Sequence, residues 1–140
     1  MDGINELTDV IQVCTDGSSL SEKGVDTAVA LAKSLGLPLV GMTSVVGKPN
    51  TVHGIEHEDE SVKKRLAYVD EAAKAAGVQC QLVAEHCNAP WEGILAVAQR
   101  YDARFIVMAS RGLGSLGSLI LGSETQKVLA QVDRPVLVIR

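Results

Sequence analysis

The chain has 140 residues and a formal net charge of −4, with apolar residues at 46% of positions and aromatic residues at only 3%. The negative charge argues against a general nucleic-acid-binding protein, no apolar run approaches the ~18 residues that would span a membrane, and the acidic N-terminus is unlike a signal peptide. The length predicts one domain over residues 1–140. Because Cys14, Cys80 and Cys87 lack CxxC spacing and are odd in number, we expect free thiols in a reducing cytoplasm.

The first predicted elements are a strand, a helix and a second strand. Val10–Cys14 is a short apolar run of the kind found in buried strands. Ser19 and Glu22 have the spacing of a capping box, and apolar residues then recur at helical spacing as far as Leu35. After the glycine and proline that stop this pattern, Leu39–Val46 is predicted to be the second strand.

The middle of the chain continues the alternation of strands and helices. Lys48–Glu60 is polar and is predicted to be a loop, and Ser61–Ala76 carries apolar residues at helical spacing. Gly77 is expected to end that helix, and Val78–Glu85 alternates between apolar and polar residues as a strand does. Pro90 then introduces a third helix.

The last part of the chain contains a glycine-rich stretch between two strands. Phe105–Met108 is predicted to be a buried strand, and Ser110–Glu124 holds the glycines. Thr125–Val132 has a helical pattern, and Pro135–Ile139 is the final apolar strand. This alternating order predicts an α/β fold with a parallel sheet and right-handed crossovers.

A ligand cleft is expected at the carboxyl edge of this sheet, because ligands of open parallel sheets bind where the strand order reverses. The strand ends there are predicted at Cys14–Ser18, Thr43–Gly47 and Ala109–Gly122. All three carry glycine and small polar residues, which permit a close approach of a ligand to the backbone.

Two glycine patterns occur within Ser110–Glu124. Residues 112–117 match G-x-G-x-x-G, but that dinucleotide motif belongs after the first strand of a βαβ unit, not after the fourth. Gly122 and Ser123 stand just before a predicted helix, where backbone N–H groups and the helix dipole attract an anion. The second pattern favours a phosphate site, and a plain helix start capped by Ser123 is the alternative.

The whole chain resembles the universal stress protein family. The segments that carry the resemblance are Val13–Ser18, Ile106–Gly112, Gly122-Ser123 and Arg134–Ile139. The nucleotide-binding branch of that family has G-x2-G-x9-G-[S/T] before its last helix and strand. Here that pattern falls on Ala109, Gly112, Gly122 and Ser123. The resemblance implies a Rossmann-like open five-stranded parallel sheet of order 3-2-1-4-5 with helices on both faces, usually in a homodimer.

The same resemblance implies a site for an adenine nucleotide. Asp16 would accept hydrogen bonds from the ribose hydroxyl groups. The residues bordering the adenine would be Cys14, Thr15, and Ser44 or Val45, and those flanking the ribose and phosphate would be Met108 and Ala109. The residues lining the phosphates would be Arg111, Gly112, Gly122, Ser123 and, through its amide, Glu124. Whether the ligand is ATP, ADP or AMP, and whether Mg²⁺ accompanies it, stays open.

Two residues depart from the family pattern at the phosphate site. Ala109 replaces the first glycine of the pattern, which removes some backbone freedom. Glu124 replaces a small apolar residue, and its carboxylate would compete with a triphosphate for the field of the helix N-terminus. Two explanations are open: either Arg111 offsets the repulsion, or Glu124 holds a Mg²⁺ ion.

Other chemically suggestive patterns are interpreted as structural. His53–His57 spells H-x-x-E-H, a zinc-protease signature, but its glycine and polar flanks favour a loop. His86 and Cys87 are adjacent and would point in opposite directions on a strand, which argues against a catalytic pair. Lys63–Arg65 is interpreted as the solvated face of a helix, and Cys14 as a small core residue, with a redox-sensitive thiol as the alternative.

These features predict a stress-response sensor or regulator that binds an adenine nucleotide. No well-placed general base accompanies the glycine loop, so any hydrolysis of ATP is expected to be slow. The alternatives are a nucleotide-free interaction module with an unidentified protein partner, a slow ATPase or self-phosphorylating protein using Ser115, Ser118 or Ser123, and an N-type ATP pyrophosphatase. The apolar strand Pro135–Ile139 is expected at a sheet edge, where it would pair with a second copy of the chain.

Overall fold

The computed structural model describes residues 7–47, 54–111 and 121–140, which form a parallel sheet with helices on both faces. The strands are β1 (Ile11–Cys14), β2 (Leu39–Val46), β3 (Cys80–Cys87), β4 (Phe105–Ala109) and β5 (Val136–Ile139). The helices are α1 (Ser19–Leu35), α2 (Glu60–Ala76), α3 (Pro90–Arg100) and α4 (Ser123–Gln131), and a 3₁₀ turn spans Ile55–His57. The sheet order β3-β2-β1-β4-β5 confirms the predicted topology. No helix of the described residues is long and apolar enough to cross a membrane.

Two aliphatic layers hold the helices on the sheet. Ile11 and Val13 of β1 belong to the core beneath α1 and α2, whereas Val10 belongs to the core beneath α3 and α4. Because both faces of the central strand are covered, its residues are buried whichever way they point. Gln12 is the polar exception, and its Nε2 donates to the carbonyl oxygen of Ile94 at 3.1 Å.

A glycine at the centre of the sheet sets how closely α2 approaches it. Gly41 lies in β2, between β1 and β3. A Cβ atom at this position would overlap Cγ1 of the fully buried Val69 and would lie 3.1 Å from its Cβ. Because Gly41 has no side chain, the core has room for the side chain of Val69.

The boundaries of α1 and β3 differ from the sequence prediction. The N-cap of α1 is Ser18, whose extended backbone lets its Oγ accept from the N–H of Ser21 at 3.2 Å. Ser19 is already helical, so the predicted capping box of Ser19 and Glu22 is wrong by one position. β3 begins at Cys80, two residues later than predicted, because it pairs in register with all of β2.

Candidate functional site

A cavity of about 430 Å³ opens at the carboxyl ends of β1, β2 and β4, where the strand order reverses. The predicted site residues that line it are Cys14, Thr15, Asp16, Ser44, Met108, Ala109, Arg111, Gly122, Ser123 and Glu124. Val45 is half-buried in β2 and is not part of the lining, and Gly112 lies outside the described residues. A second depression, of about 570 Å³, lies between α1 and α2 and contains none of the predicted residues.

The turn after β1 is held by its own side chains. The buried Thr15 hydroxyl lies 2.9 Å from Oγ of Ser21 and accepts from the N–H of Gly17 at 3.1 Å. Oδ1 of Asp16 accepts from the N–H of Ser18 at 3.0 Å. These bonds fix the half-buried Asp16 carboxylate at the rim of the cavity, where it can accept hydrogen bonds from a ligand.

The N-terminus of α4 is bound closely to the end of β4. The N–H of Gly122 donates to the carbonyl oxygen of Ser110 at 2.7 Å, and Oγ1 of Thr125 donates to that of Ala109 at 3.1 Å. The helix begins at Ser123, two residues earlier than predicted, because Gly122 already accepts from Gln126 at 3.0 Å. The N–H groups of this first turn have no partners within the helix and are suited to an anion.

Ala109 does not need the conformational freedom of the glycine that it replaces. It is the last residue of β4 and pairs with Ile139 of β5. Its backbone is not among the described non-glycine residues with positive φ, which are Asp9 and Asp102. An alanine is therefore compatible with the path of the backbone at this position.

Glu124 caps a neighbouring helix. Its Oε1 accepts from the N–H of Trp91 at 3.0 Å, in the first turn of α3, whose own N-cap residue Ala89 makes no side-chain cap bond. Its Oε2 lies 3.7 Å from Nζ of Lys127. The carboxylate thus joins the N-termini of α3 and α4, where both helix dipoles favour a negative charge.

The described residues do not fit a protein-bound Mg²⁺ ion at this site. Both oxygens of Glu124 already face donors, Trp91 N–H and Lys127. Nor does any group of three or more His, Cys, Asp or Glu side chains in the described ranges have an arrangement that could hold a metal. The hypothesis that Glu124 holds Mg²⁺ therefore has no geometric support.

Arg65 of α2 lines the cavity, although its sequence context predicted a solvated helix face. The structure shows it half-buried in the lining, with Nη1 donating to the carbonyl oxygen of Ser44 at 3.1 Å. The spacing of Arg65 could have predicted this position. It follows Val62 by three residues and precedes Val69 by four, and both valines are on the buried face of the helix. The interpretation of Lys63–Arg65 as solvated is wrong for Arg65.

Cys14 lines the cavity as an un-ionised thiol. Burial raises its pKa to about 12. The thiolate is the reactive form of cysteine, so at neutral pH only a very small fraction of this side chain is nucleophilic. The raised pKa therefore favours the interpretation of Cys14 as a small core residue over that of a redox-sensitive thiol.

The remaining suggestive patterns do not assemble a second centre in the described residues. His53 lies outside those residues, and His57 is 3.7 Å from the adjacent Glu56. Nε2 of His86 lies 2.9 Å from Oε2 of Glu58, whereas Sγ of Cys87 faces the carbonyl oxygen of Val45 at 3.8 Å. Neighbouring side chains on β3 point apart, so His86 and Cys87 do not form a pair.

Comparisons with known proteins agree with this architecture. A sequence model described as "Universal stress protein family" matches residues 8–140. The Thermus aquaticus "universal stress protein in QAH/OAS sulfhydrylase 3′region" is 34% identical over 134 residues, which cover 93% of this chain and 97% of that protein.

Two solved structures that resemble the chain contain nucleotides. A universal stress protein in complex with cAMP has a TM-score of 0.75 at 24% identity, over 94% of this chain and 97% of that one. The universal stress protein from Archaeoglobus fulgidus in complex with dAMP has a TM-score of 0.74 at 22% identity, over 96% and 99%. At such identities the likeness shows the fold. The family model and the Thermus aquaticus relative show that this chain belongs to the universal stress protein family.

Proposed function

We propose that this protein binds an adenine nucleotide in the cavity at the carboxyl ends of β1, β2 and β4 and acts as a cytoplasmic sensor or regulator in the stress response. One observation carries the proposal: the cavity places the Asp16 carboxylate and the N-terminus of α4 around one space. A carboxylate suits a ribose diol, and a helix N-terminus suits a phosphate. The complexes of two structural neighbours with cAMP and dAMP support the same ligand class.

The proposed pose follows the chemistry of the lining. The adenine lies near Cys14, Thr15, and Ser44 or Val45, and Asp16 accepts from the ribose hydroxyl groups. Met108 and Ala109 flank the ribose and the first phosphate. The groups that hold the phosphates are Arg111, Gly112, Gly122, Ser123 and the amide of Glu124. Mg²⁺ enters only as a counter-ion of the ligand's own phosphates.

A direct test is to denature the purified protein and identify any released nucleotide by mass spectrometry. Calorimetric titrations with AMP, ADP and ATP then measure affinity in solution, with and without Mg²⁺. Binding of at least one of them at micromolar concentration is the expected result. If none binds below millimolar concentration, the proposal fails and a nucleotide-free interaction module takes its place.

Asp16→Asn is expected to lower the affinity for adenosine nucleotides by about tenfold, because a neutral amide is a weaker acceptor than a carboxylate for the ribose hydroxyl groups. Asparagine retains the oxygen that accepts from Ser18, so the turn after β1 keeps its bond. Asp26→Asn, on the exposed side of α1, is the matched control and should bind like the wild type. Equal affinities of the two variants would remove Asp16 from the proposed pose.

We also propose a homodimer formed through β5, which is an edge strand of the sheet. Leu137 in this strand is 40% exposed, and an apolar edge of this kind favours pairing with a second copy. Leu137→Lys is expected to convert a dimer into a monomer in sedimentation equilibrium at micromolar concentration. Leu35→Lys is the control, since Leu35 is 44% exposed and is the last residue of α1. A wild-type protein that sediments only as a monomer would contradict the dimer.

A further inference from the structure

The formal charges of the side chains that line the cavity sum to zero. Arg65 and Arg111 are positive, and Asp16 and Glu124 are negative. The Arg65 guanidinium donates to the carbonyl oxygen of Ser44 in β2, a strand that β1 separates from β4 and the start of α4. Arg111 is therefore the lining cation close to the N-terminus of α4.

Glu124 opposes Arg111 at that end. Its bond to the N–H of Trp91 holds the carboxylate between the first turns of α3 and α4, where the side chain is still 36% exposed. Lys127 compensates part of this charge, but it lies 3.7 Å away, outside the cavity lining, and its side chain is 55% exposed. Water screens such an exposed pair, so the carboxylate remains a negative charge facing the phosphate region.

The sequence between β4 and α4 adds no further cation. Residues 112–122 consist of glycine, leucine, serine and isoleucine only. Backbone N–H groups and hydroxyl groups can bind one phosphate well, but they do not balance the charge of a triphosphate. Each phosphate added to the ligand therefore increases its repulsion from Glu124 without adding a cationic partner on the described protein.

We propose that the cavity selects adenine nucleotides with a single phosphate group over ATP, and that the Glu124 carboxylate, held by Trp91, sets this selection. The inference rests on the proposed function, since it assigns the charge class of the ligand in the same cavity. The groups that discriminate are Glu124 and Arg111 at the N-terminus of α4. The adenine and ribose contacts are common to both ligands.

The test compares AMP with ATP on the full-length protein by isothermal titration, in low salt without divalent ions. The wild type is expected to bind AMP about tenfold more tightly than ATP. Raising the salt concentration, or adding Mg²⁺ to neutralise part of the triphosphate, should narrow this gap because both reduce the repulsion. Equal or tighter binding of ATP without Mg²⁺ would overturn the inference.

Glu124→Gln removes the negative charge of the side chain but keeps its shape, and the glutamine oxygen can still accept from the N–H of Trp91. Removing the charge is expected to tighten ATP binding about fivefold to tenfold and to change AMP binding by less than about threefold. Glu71→Gln removes the same charge from the groove between α1 and α2 and should leave both affinities unchanged. An unchanged AMP-to-ATP ratio in Glu124→Gln would remove Glu124 as its cause.

Failure of this inference can be distinguished from failure of the proposed function. If AMP and ATP bind equally well at micromolar concentration, the charge selection is wrong and the nucleotide site stands. If neither binds, the nucleotide site itself is wrong and the selection fails with it. The salt dependence of the wild-type affinities provides a readout that does not depend on the folding of any variant.

Discussion

Gly122→Val is expected to weaken nucleotide binding by about a hundredfold, which corresponds to about 3 kcal/mol. A Cβ atom on Gly122 would lie 3.1 Å from Cα of Arg111 and 3.5 Å from the carbonyl oxygen of Ser110. These are backbone atoms at the end of β4, which cannot turn aside as a side-chain tip can. The N-terminus of α4 would therefore have to move away from β4, and its N–H groups would leave the position at which they bind phosphate.

The backbone angles of Gly122 do not explain this requirement. Its φ of −63° and ψ of 154° are available to any residue. What matters is the close approach of two chain segments, which also brings the N–H of Gly122 to 2.7 Å from the carbonyl oxygen of Ser110. A valine interferes with that approach before it reaches any phosphate.

Calorimetric titration with AMP measures the effect, and circular dichroism verifies that the variant is folded. Ala130→Val is the matched control, because it places a valine on the exposed side of the same helix. It should bind like the wild type. A folded Gly122→Val protein with an affinity within about threefold of wild type would contradict the role of this glycine.

Gly41→Ala is expected to lower the free energy of unfolding by about 3 kcal/mol. The new methyl group would overlap Cγ1 of Val69 and would lie 3.3 Å from its Cγ2, in the middle of a core where Val69 is fully buried. Neither the centre of the sheet nor α2 can move without disturbing other contacts, because interiors are close-packed. The loss is a large fraction of the ~5–15 kcal/mol that stabilise a typical protein.

Urea denaturation measures this effect, and a double-mutant cycle with Val69→Ala identifies its cause. Val69→Ala alone should cost about 2 kcal/mol, because it leaves a cavity. In the double variant the alanine at position 41 gains room, so the combined loss should be about 1–2 kcal/mol smaller than the sum. Strict additivity of the two losses would show that the overlap is not the cause.

A second glycine provides the control for Gly41. Gly24 lies inside α1, where an added Cβ would lie 3.7 Å from Cγ1 of Ile139, an ordinary contact distance. Gly24→Ala is therefore expected to raise stability by about 0.5–1 kcal/mol through its helix propensity. Both substitutions reduce the backbone entropy of the unfolded chain, but only the one at position 41 meets a steric overlap. Opposite signs of the two stability changes would therefore identify the available space as the deciding factor.

The order of elements and the location of the cleft were determined by the sequence itself. Period-two and period-3.6 patterns specify strands and helices locally, and Gly36 and Gly77 end α1 and α2 with positive φ, as their positions predict. Alternating strands and helices allow few topologies, and the carboxyl edge of a parallel sheet is where such folds bind ligands. Most of the proposed nucleotide-site residues could therefore be named from the sequence and the family resemblance.

The environment of the charged groups was decided only by the tertiary structure. Glu124 accepts from Trp91, 33 positions away in the chain, and Arg65 donates to Ser44, 21 positions away. No local pattern encodes such contacts, because they depend on how α3 meets α4 and how α2 lies on β2. The close approaches of Gly122 to Arg111 and of Gly41 to Val69 arise in the same way. Sequence periodicity specifies which face of an element is buried, whereas the packing of elements decides which atoms on that face meet.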